Sequence, residues 1–216
     1  MQSLHELWQD PTTSLVLRTT TTSPFGRKVR IAARVLGLDE RLRISTANTR
    51  DPSDPLRQQN PLGKIPCLLI NREPFYDSGV ILELLDLLVG GGRLLPPISD
   101  PLPRLRTLTR ARLADGITEA TLLMVYEGRY RAPEQASNTW IDHQRGKVRR
   151  GLSAFEQAPP DSERPDLVGI GLACALGYLD WRKLIVWRDE YPALADWLAR
   201  FAAAVPAFSA TQGDPA

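Results

Sequence analysis

Ile65-Pro66-Cys67-Leu68-Leu69-Ile70-Asn71-Arg72-Glu73-Pro74-Phe75-Tyr76-Asp77-Ser78-Gly79-Val80-Ile81-Leu82 is the stretch that decides the fold. An Ile-Pro bond has only a small trans preference, so a folded chain can hold it in cis at a turn. The apolar run Cys67 to Ile70 then reads as a strand, Asn71-Arg72 as a turn and Phe75-Tyr76 as a short returning strand. Asp77-Ser78 opens a helix from Ser78 to Leu88, because both residues are favoured caps and an apolar run follows. A cis proline entering a strand leaves the N–H and C=O of the residue before it free. Such a pair can receive an extended peptide as an added strand. At the helix start, the Ser78 hydroxyl, the exposed N–H groups and the positive helix end suit a carboxylate. Asp77 beside them suits an ammonium. Taken singly, Ile65-Pro66 marks only a strand boundary and Asp77-Ser78 only a cap. Together they form a backbone clamp followed by a receptor for an amino-acid head group.

Upstream, Leu15-Val16-Leu17 is a short apolar strand, and Thr19 to Ser23 is a polar run ending at Pro24. Proline suits the first turn of a helix. Phe25, Val29, Ala32 and Leu36 repeat at helical spacing until Gly37 ends the helix. Leu42 and Ile44 alternate with polar residues, which predicts a second strand, and Arg50 to Gln59 reads as a polar surface segment. Strand-helix-strand followed by a hairpin and a helix is a thioredoxin-like α/β module over residues 14–89. Residues 1–13 precede it as an extension, expected as a loosely held arm. Gly90-Gly91-Gly92, Pro96-Pro97 and Pro101 mark a linker over 90–101. Beyond it strand signals vanish, and residues 102–216 read as an all-helical bundle. Its signals are Leu105, Leu108 and Arg112 on one face, Ile141 to Phe155, the nearly all-apolar Leu167 to Leu179, and a last helix from Pro192 to a stop at Pro206.

Three stretches, TSPFGRKVRIAARVLGL from Thr22, NPLGKIPCLL from Asn60 and FYDSGVILELLD from Phe75, together resemble the glutathione S-transferase family in order and spacing. LACALGYLDWR, Leu172 to Arg182, resembles the core helix of that family's second domain. The resemblance runs roughly from Ser14 to Phe208 and looks closest to bacterial branches without a catalytic tyrosine. It implies glutathione as co-substrate, whose γ-glutamyl end carries the ammonium and carboxylate that the receptor suits. It also implies an electrophilic small molecule as second substrate, and a homodimer. In that dimer the helix starting at Ser78 faces the partner's second domain, with Leu105, Leu108 and Leu113 supplying apolar stripes.

On this reading Ile65 and Pro66 hold the cysteinyl backbone, Asp77 and Ser78 the γ-glutamyl group, and Ser23 the sulfur. Ser23 precedes Pro24 at a helix N-terminus, where a hydroxyl and a positive helix end both favour a thiolate. Lowering a thiol pKa by ~2 units corresponds to about 2.7 kcal/mol of differential interaction. Ser23 as a simple helix cap is the structural alternative, and Thr21 or Thr22 can take the sulfur role instead. No cysteine lies near, which argues against members that form a mixed disulfide with glutathione. Lys64 is placed to meet the glycyl carboxylate, with Arg50 as a second candidate. Tyr126, Arg129 and Tyr130 fall where the family builds its acceptor pocket. Other glutathione-dependent enzymes (isomerase, dehalogenase, peroxidase) and a non-catalytic binding protein stay open. The usual Ser/Thr-x-x-Asp box at the buried helix is here Asp166-Leu167-Val168-Gly169, so Gly169 cannot return the capping bond.

Composition narrows the classes. A formal net charge of +2 with scattered basic residues gives no case for nucleic acid. Arg27-Lys28 and Arg149-Arg150 read as solvated helix faces. Cys67 and Cys174 match no metal or redox spacing, and with only His5 and His143 a multi-histidine metal site is not expected. The start has no cationic and apolar leader pattern, and Leu167 to Leu179 is too short to span a bilayer. The expectation is a cytoplasmic protein with no membrane partner.

Overall fold

The computed structural model describes residues 4–213. The chain divides into two compact units, Met1–Arg104 with Ala207–Ala216, and Leu105–Pro206. The segment from Ala207 onward, read from the sequence as part of the helical half, thus belongs to the first unit.

In the first unit, α1 (Leu4–Gln9) lies beside α4 (Ser78–Leu88). The chain from Asp10 to Thr13 is held rather than loose. Arg41 donates to the Asp10 carbonyl at 2.9 Å, and Thr13 is buried. A four-stranded mixed sheet follows in the order β2-β1-β3-β4. Its strands are β1 (Leu15–Thr19), β2 (Leu42–Thr46), β3 (Cys67–Ile70) and β4 (Glu73–Phe75). β1 runs parallel to β2 and antiparallel to β3, and β4 closes the hairpin with β3. Side chains alternate across a strand. Cys67 and Leu69 therefore meet Ala47 and Leu56 of α3 (Leu56–Gln59) on one face. Leu15, Leu17, Leu68 and Ile70 form the other face, which buries against Val29, Ile31, Ile81, Leu82 and Leu85 of the paired helices α2 (Pro24–Val35) and α4.

The glycine run after α4 is not a free linker. The buried Asp86 carboxylate accepts the N–H groups of Gly92 at 3.1 Å, Arg93 at 3.0 Å and Leu94 at 2.9 Å. Leu94 and Leu95 are buried. Gly90, Gly91 and Gly92 all have positive φ, a region that glycine enters without a side-chain clash.

In the second unit the expected helices form: α5 (Pro101–Tyr130, entering from Arg104), α6 (Asn138–Gln157), α7 (Leu167–Arg182) and α8 (Pro192–Ala204). Twelve of the sixteen residues of α7 are buried, as its apolar run predicts. Asp166 caps α7 by accepting from Gly169 N at 2.8 Å, although its carboxyl pKa is pushed up by burial and held back by those capping bonds. A Cβ on Gly169 would stand 3.4 Å from the Phe201 ring of α8 and 3.5 Å from Asp166 Oδ1, at ordinary contact distance. The Glu156 carboxylate caps α8 by accepting from Ala193 and Leu194 N, each at 2.9 Å. α8 stops just before Pro206 as expected, but it is not the last helix: Pro206 opens one more turn, α9 (Pro206–Ala210).

Candidate functional site

Strand register brings the predicted segments to one end of the sheet. Arg18 is paired with Cys67, so the end of β1 lies beside Pro66. Leu68 is paired with Phe75, so the chain after β4 returns to the same end of the sheet, where Asp77 caps α4. A bond from Lys28 Nζ to Ser78 Oγ, 3.2 Å, ties α2 to the first residue of α4.

Ser23 is the N-cap of α2, with extended backbone and Pro24 next. Its half-buried Oγ accepts the Gly26 N–H at 3.0 Å. That bond uses one lone pair and leaves the hydroxyl proton available to a ligand. The cap and the activating role are therefore compatible rather than exclusive. Thr21 and Thr22 are exposed, and the Thr22 hydroxyl lies 3.1 Å from that of Thr20. Gly26 is required by a close approach, because a Cβ there would overlap Thr19 Oγ1 and stand 3.0 Å from Thr19 Cβ.

The Ile65–Pro66 peptide is cis. The Ile65 side chain packs on Ala47, Leu56 and Cys67. Among the described residues nothing meets its backbone N–H or C=O, so both can serve an incoming peptide. The loop before it is built by Asn60, a buried residue that the sequence did not single out. Its amide donates to the Lys64 carbonyl at 2.9 Å and accepts from Leu62 N at 3.0 Å. Lys64 itself points outward and is exposed.

Asp77 follows a second cis peptide, Tyr76–Asp77, and caps α4 by accepting from Gly79 N at 2.9 Å. Its side chain is exposed while Ser78 is buried, so the receptor has a solvent-facing acid and an inward hydroxyl. Lys28, expected on a solvated helix face, is instead buried. Arg27 is also engaged. Its guanidinium donates to the Phe208 carbonyl at 2.7 Å and lies over the Phe208 ring at 4.1 Å. Arg30 donates to the Thr211 carbonyl at 2.8 Å. These contacts are what hold the C-terminal segment on α2. Arg149, by contrast, is surface-exposed and paired twice with Glu190.

Arg50 is exposed in a loop closed by Asp54, whose carboxylate accepts from Asn48 and Leu56 N and from Arg18. Those backbone bonds, and then Arg18, hold its pKa below the usual carboxylate range. In the second unit Tyr126 and Tyr130 meet edge-to-face at 5.3 Å, and Arg129 lies over Tyr126 at 5.5 Å. Cys67 is buried, and burial pushes its thiol pKa up to about 11, which disfavours the reactive thiolate. Among the described residues no group of three or more His, Cys, Asp or Glu side chains is placed to hold a metal. No helix among them is long and apolar enough to cross a membrane.

Known proteins share this architecture. The family model "Glutathione S-transferase, N-terminal domain" matches residues 17–92, and "Glutathione S-transferase, C-terminal domain" matches 138–200. The chain is similar to the uncharacterised GST-like protein YibF of Escherichia coli K12, with 34% identity over 168 residues, 76% of this chain and 81% of the relative. A glutathione transferase family member from Pseudomonas fluorescens Pf-5, solved with bound glutathione, superposes with a TM-score of 0.85. It is 39% identical, covering 93% of this chain and all of that one. A glutathione S-transferase from Methylobacillus flagellatus KT, solved with glutathione bound, gives a TM-score of 0.81 at 34% identity, covering 93% of this chain and 100% of its own. The chain belongs to the glutathione S-transferase family.

Proposed function

We propose that the protein is a glutathione transferase that binds glutathione at the strand ends of its first unit and activates the thiol for attack on an electrophilic small molecule. The observation that carries this reading is the convergence at one end of the sheet of three groups. These are the unpartnered Ile65 backbone, the α4 N-terminus with Asp77 and Ser78, and the Ser23 hydroxyl at the α2 N-terminus. Each suits a different part of one tripeptide. Ile65 and Pro66 take the cysteinyl backbone, Asp77 the γ-glutamyl ammonium and Ser78 its carboxylate. Lys64 takes the glycyl carboxylate, and Ser23 donates to the sulfur. Glutathione bound to the two similar proteins named above supports the same ligand here.

Catalysis follows from thiolate generation and from holding the thiolate where the electrophile arrives. The Ser23 proton hydrogen-bonds the anionic sulfur, and the α2 N-terminus adds positive potential. The thiolate forms the new sulfur–carbon bond while the leaving group departs with its electron pair. We read the working form as a cytoplasmic homodimer. Exposed Val80 and Leu87 on α4, with Leu105 and Leu113 on α5, offer apolar surface for a second copy. Light scattering at micromolar concentration should give twice 24.1 kDa; a mass equal to one chain refutes the dimer. Calorimetry with glutathione, then turnover of 1-chloro-2,4-dinitrobenzene, tests the function. Binding with turnover is expected. Absence of binding refutes the site, and binding without turnover of any electrophile refutes the transferase.

A further inference from the structure

The sheet face that carries Cys67 and Leu69 is only half covered. The single turn of α3 seals the half beside Ala47. Beyond it, towards the β3–β4 turn and away from Pro66 and Asp77, the same face holds a groove of about 490 Å³. Val16 and Leu69, paired across β1 and β3, form its floor. Arg18, Arg43 and Arg72 line it, and no carboxylate does. Arg18 is already neutralised, because it donates to Asp54 Oδ1 at 2.6 Å and to Ser45 Oγ at 3.0 Å. Arg43 and Arg72 are exposed, and among the described residues neither side chain has an ion pair or a hydrogen bond. Two further polar atoms of the lining residues, Arg18 Nε and Gln59 Oε1, are withdrawn from solvent without a partner. Such atoms are uncommon in a folded protein. The turn adds an independent sign. Asn71 has φ 48° and Arg72 φ 76°. A two-residue turn with positive φ at both positions is best served by Asn-Gly. Asn71 does its part, donating its N–H to the Ser14 carbonyl at 3.0 Å and accepting the Ser14 N–H at 2.9 Å. Arg72 stands where glycine would be free of strain, so the stability of the turn does not account for it.

We propose that this groove binds a small phosphate monoester, with Arg43 and Arg72 holding the phosphate. Val16 is the register partner of both Arg43 and Leu69, so the two cations approach from opposite sides of β1. Two interstrand spacings, about 10 Å, separate β2 from β3, a gap that two arginine side chains can close around one anion. A guanidinium presents its N–H groups in a fork that matches phosphate oxygens. A phosphate monoester carries up to about two negative charges at neutral pH, which answers the two unpaired cations. Ser14, Ser45 and Gln59 on the rim suit a polar body on the ester, and the volume is that of a small-molecule site. Two cations are too few to follow a nucleic-acid backbone. Arginine stems could also shield Val16, but that role needs neither a charge nor a left-handed backbone at residue 72. The groove lies at the other end of the sheet from the glutathione site and does not depend on that reading.

The test titrates the full chain by calorimetry at low ionic strength with glucose 6-phosphate, adenosine 5′-monophosphate and inorganic phosphate, and with glucose as the uncharged control. At least one ester should bind with a submillimolar Kd, more tightly than inorganic phosphate, and added salt should weaken it. Glucose should not bind. Arg43→Gln and Arg72→Gly should each weaken the ester at least about tenfold, since each removes one charge-assisted contact. Arg72→Gly should also raise the melting temperature, because glycine fits the turn. Loss of binding together with a gain in stability separates a ligand role from a structural one. Glutathione affinity should keep its wild-type value in both variants, so failure here and failure of the glutathione site are read separately. Wild type that binds neither ester at millimolar concentration overturns the proposal. So does ester binding that survives both substitutions. Inorganic phosphate bound as tightly as either ester assigns the groove to the free anion and overturns the monoester.

Discussion

Replacing Gly26 by alanine probes the joint between fold and site. In an unobstructed helix position alanine stabilises by up to about 1 kcal/mol relative to glycine. Gly26 is not unobstructed. The added Cβ overlaps Thr19 Oγ1, reaches 3.0 Å from Thr19 Cβ and lies 3.4 Å from Ser23 Cβ. Thr19 is 1% exposed at the end of β1, so its side chain has no open space to turn into. The N-terminal turn of α2 must move off the strand, taking the Gly26 N–H away from Ser23 Oγ. Overpacking of this kind costs about 1–3 kcal/mol, which outweighs the helix gain. At about 2–4 °C per kcal/mol for a chain of this size, the melting temperature should fall by several degrees. Calorimetric melting and glutathione titration are the assays, and affinity should fall with stability because Ser23 shifts. Thr19→Ala in the same chain removes the overlapping oxygen and should restore much of both. Gly116→Ala on α5, where a Cβ meets nothing within 4 Å, should stabilise instead. A Gly26→Ala variant that melts at or above wild type refutes the close-approach argument.

Further outcomes follow from groups wholly or partly withdrawn from solvent. Asp86→Ala removes the acceptor of three N–H groups and should cost about 2–4 kcal/mol, read by denaturant unfolding, with faster amide exchange at Gly92 to Leu94. Asp166 has a folded-state pKa raised above its ordinary value, mainly by burial. The folded chain therefore binds more protons there, and this contribution is full below the unfolded pKa and lost as pH rises through the folded one. Asp166→Asn should keep the cap and flatten that fall in stability-versus-pH curves. Asp166→Ala should lose about 1 kcal/mol of capping at all pH values. Cys67, with its thiol pKa pushed up to about 11, should resist alkylation by iodoacetamide at pH 7.5 until the protein is unfolded.

Much of the first unit is legible in the sequence because its signals are local. Pro24 after Ser23, the helical repeat from Phe25 to Leu36 and Asp77-Ser78 before an apolar run each encode an element and its start. The same holds for α6 and α8, whose apolar faces have helical spacing, and for α7, which is apolar nearly all round. What escaped depends on partners distant in the chain. Lys28 beside Arg27 looks like a solvated pair, yet it is buried and bonded to Ser78, fifty residues on. Gly90-Gly91-Gly92 has linker composition, yet Asp86 fastens it by bonds that composition does not reveal. Pro206 is a helix breaker when read from upstream and a helix opener when read from downstream. Asn60 sits within a loop motif that gave it no role, although Asn followed by Pro-Leu-Gly is a turn signal that could have marked it.

The role of Ser23 as the donor that holds glutathione as a thiolate is tested most directly by ultraviolet difference absorbance of bound glutathione across pH. One hydrogen bond to a charged sulfur contributes about 1.5–3 kcal/mol, or about 1–2 pKa units. Wild type should show thiolate absorbance well below the pH at which free glutathione ionises. Ser23→Ala should move that transition up by about 1–2 units while glutathione still binds, and Thr22→Ala should leave it in place. An unchanged transition in Ser23→Ala, with glutathione bound, contradicts the sulfur-activating role of Ser23.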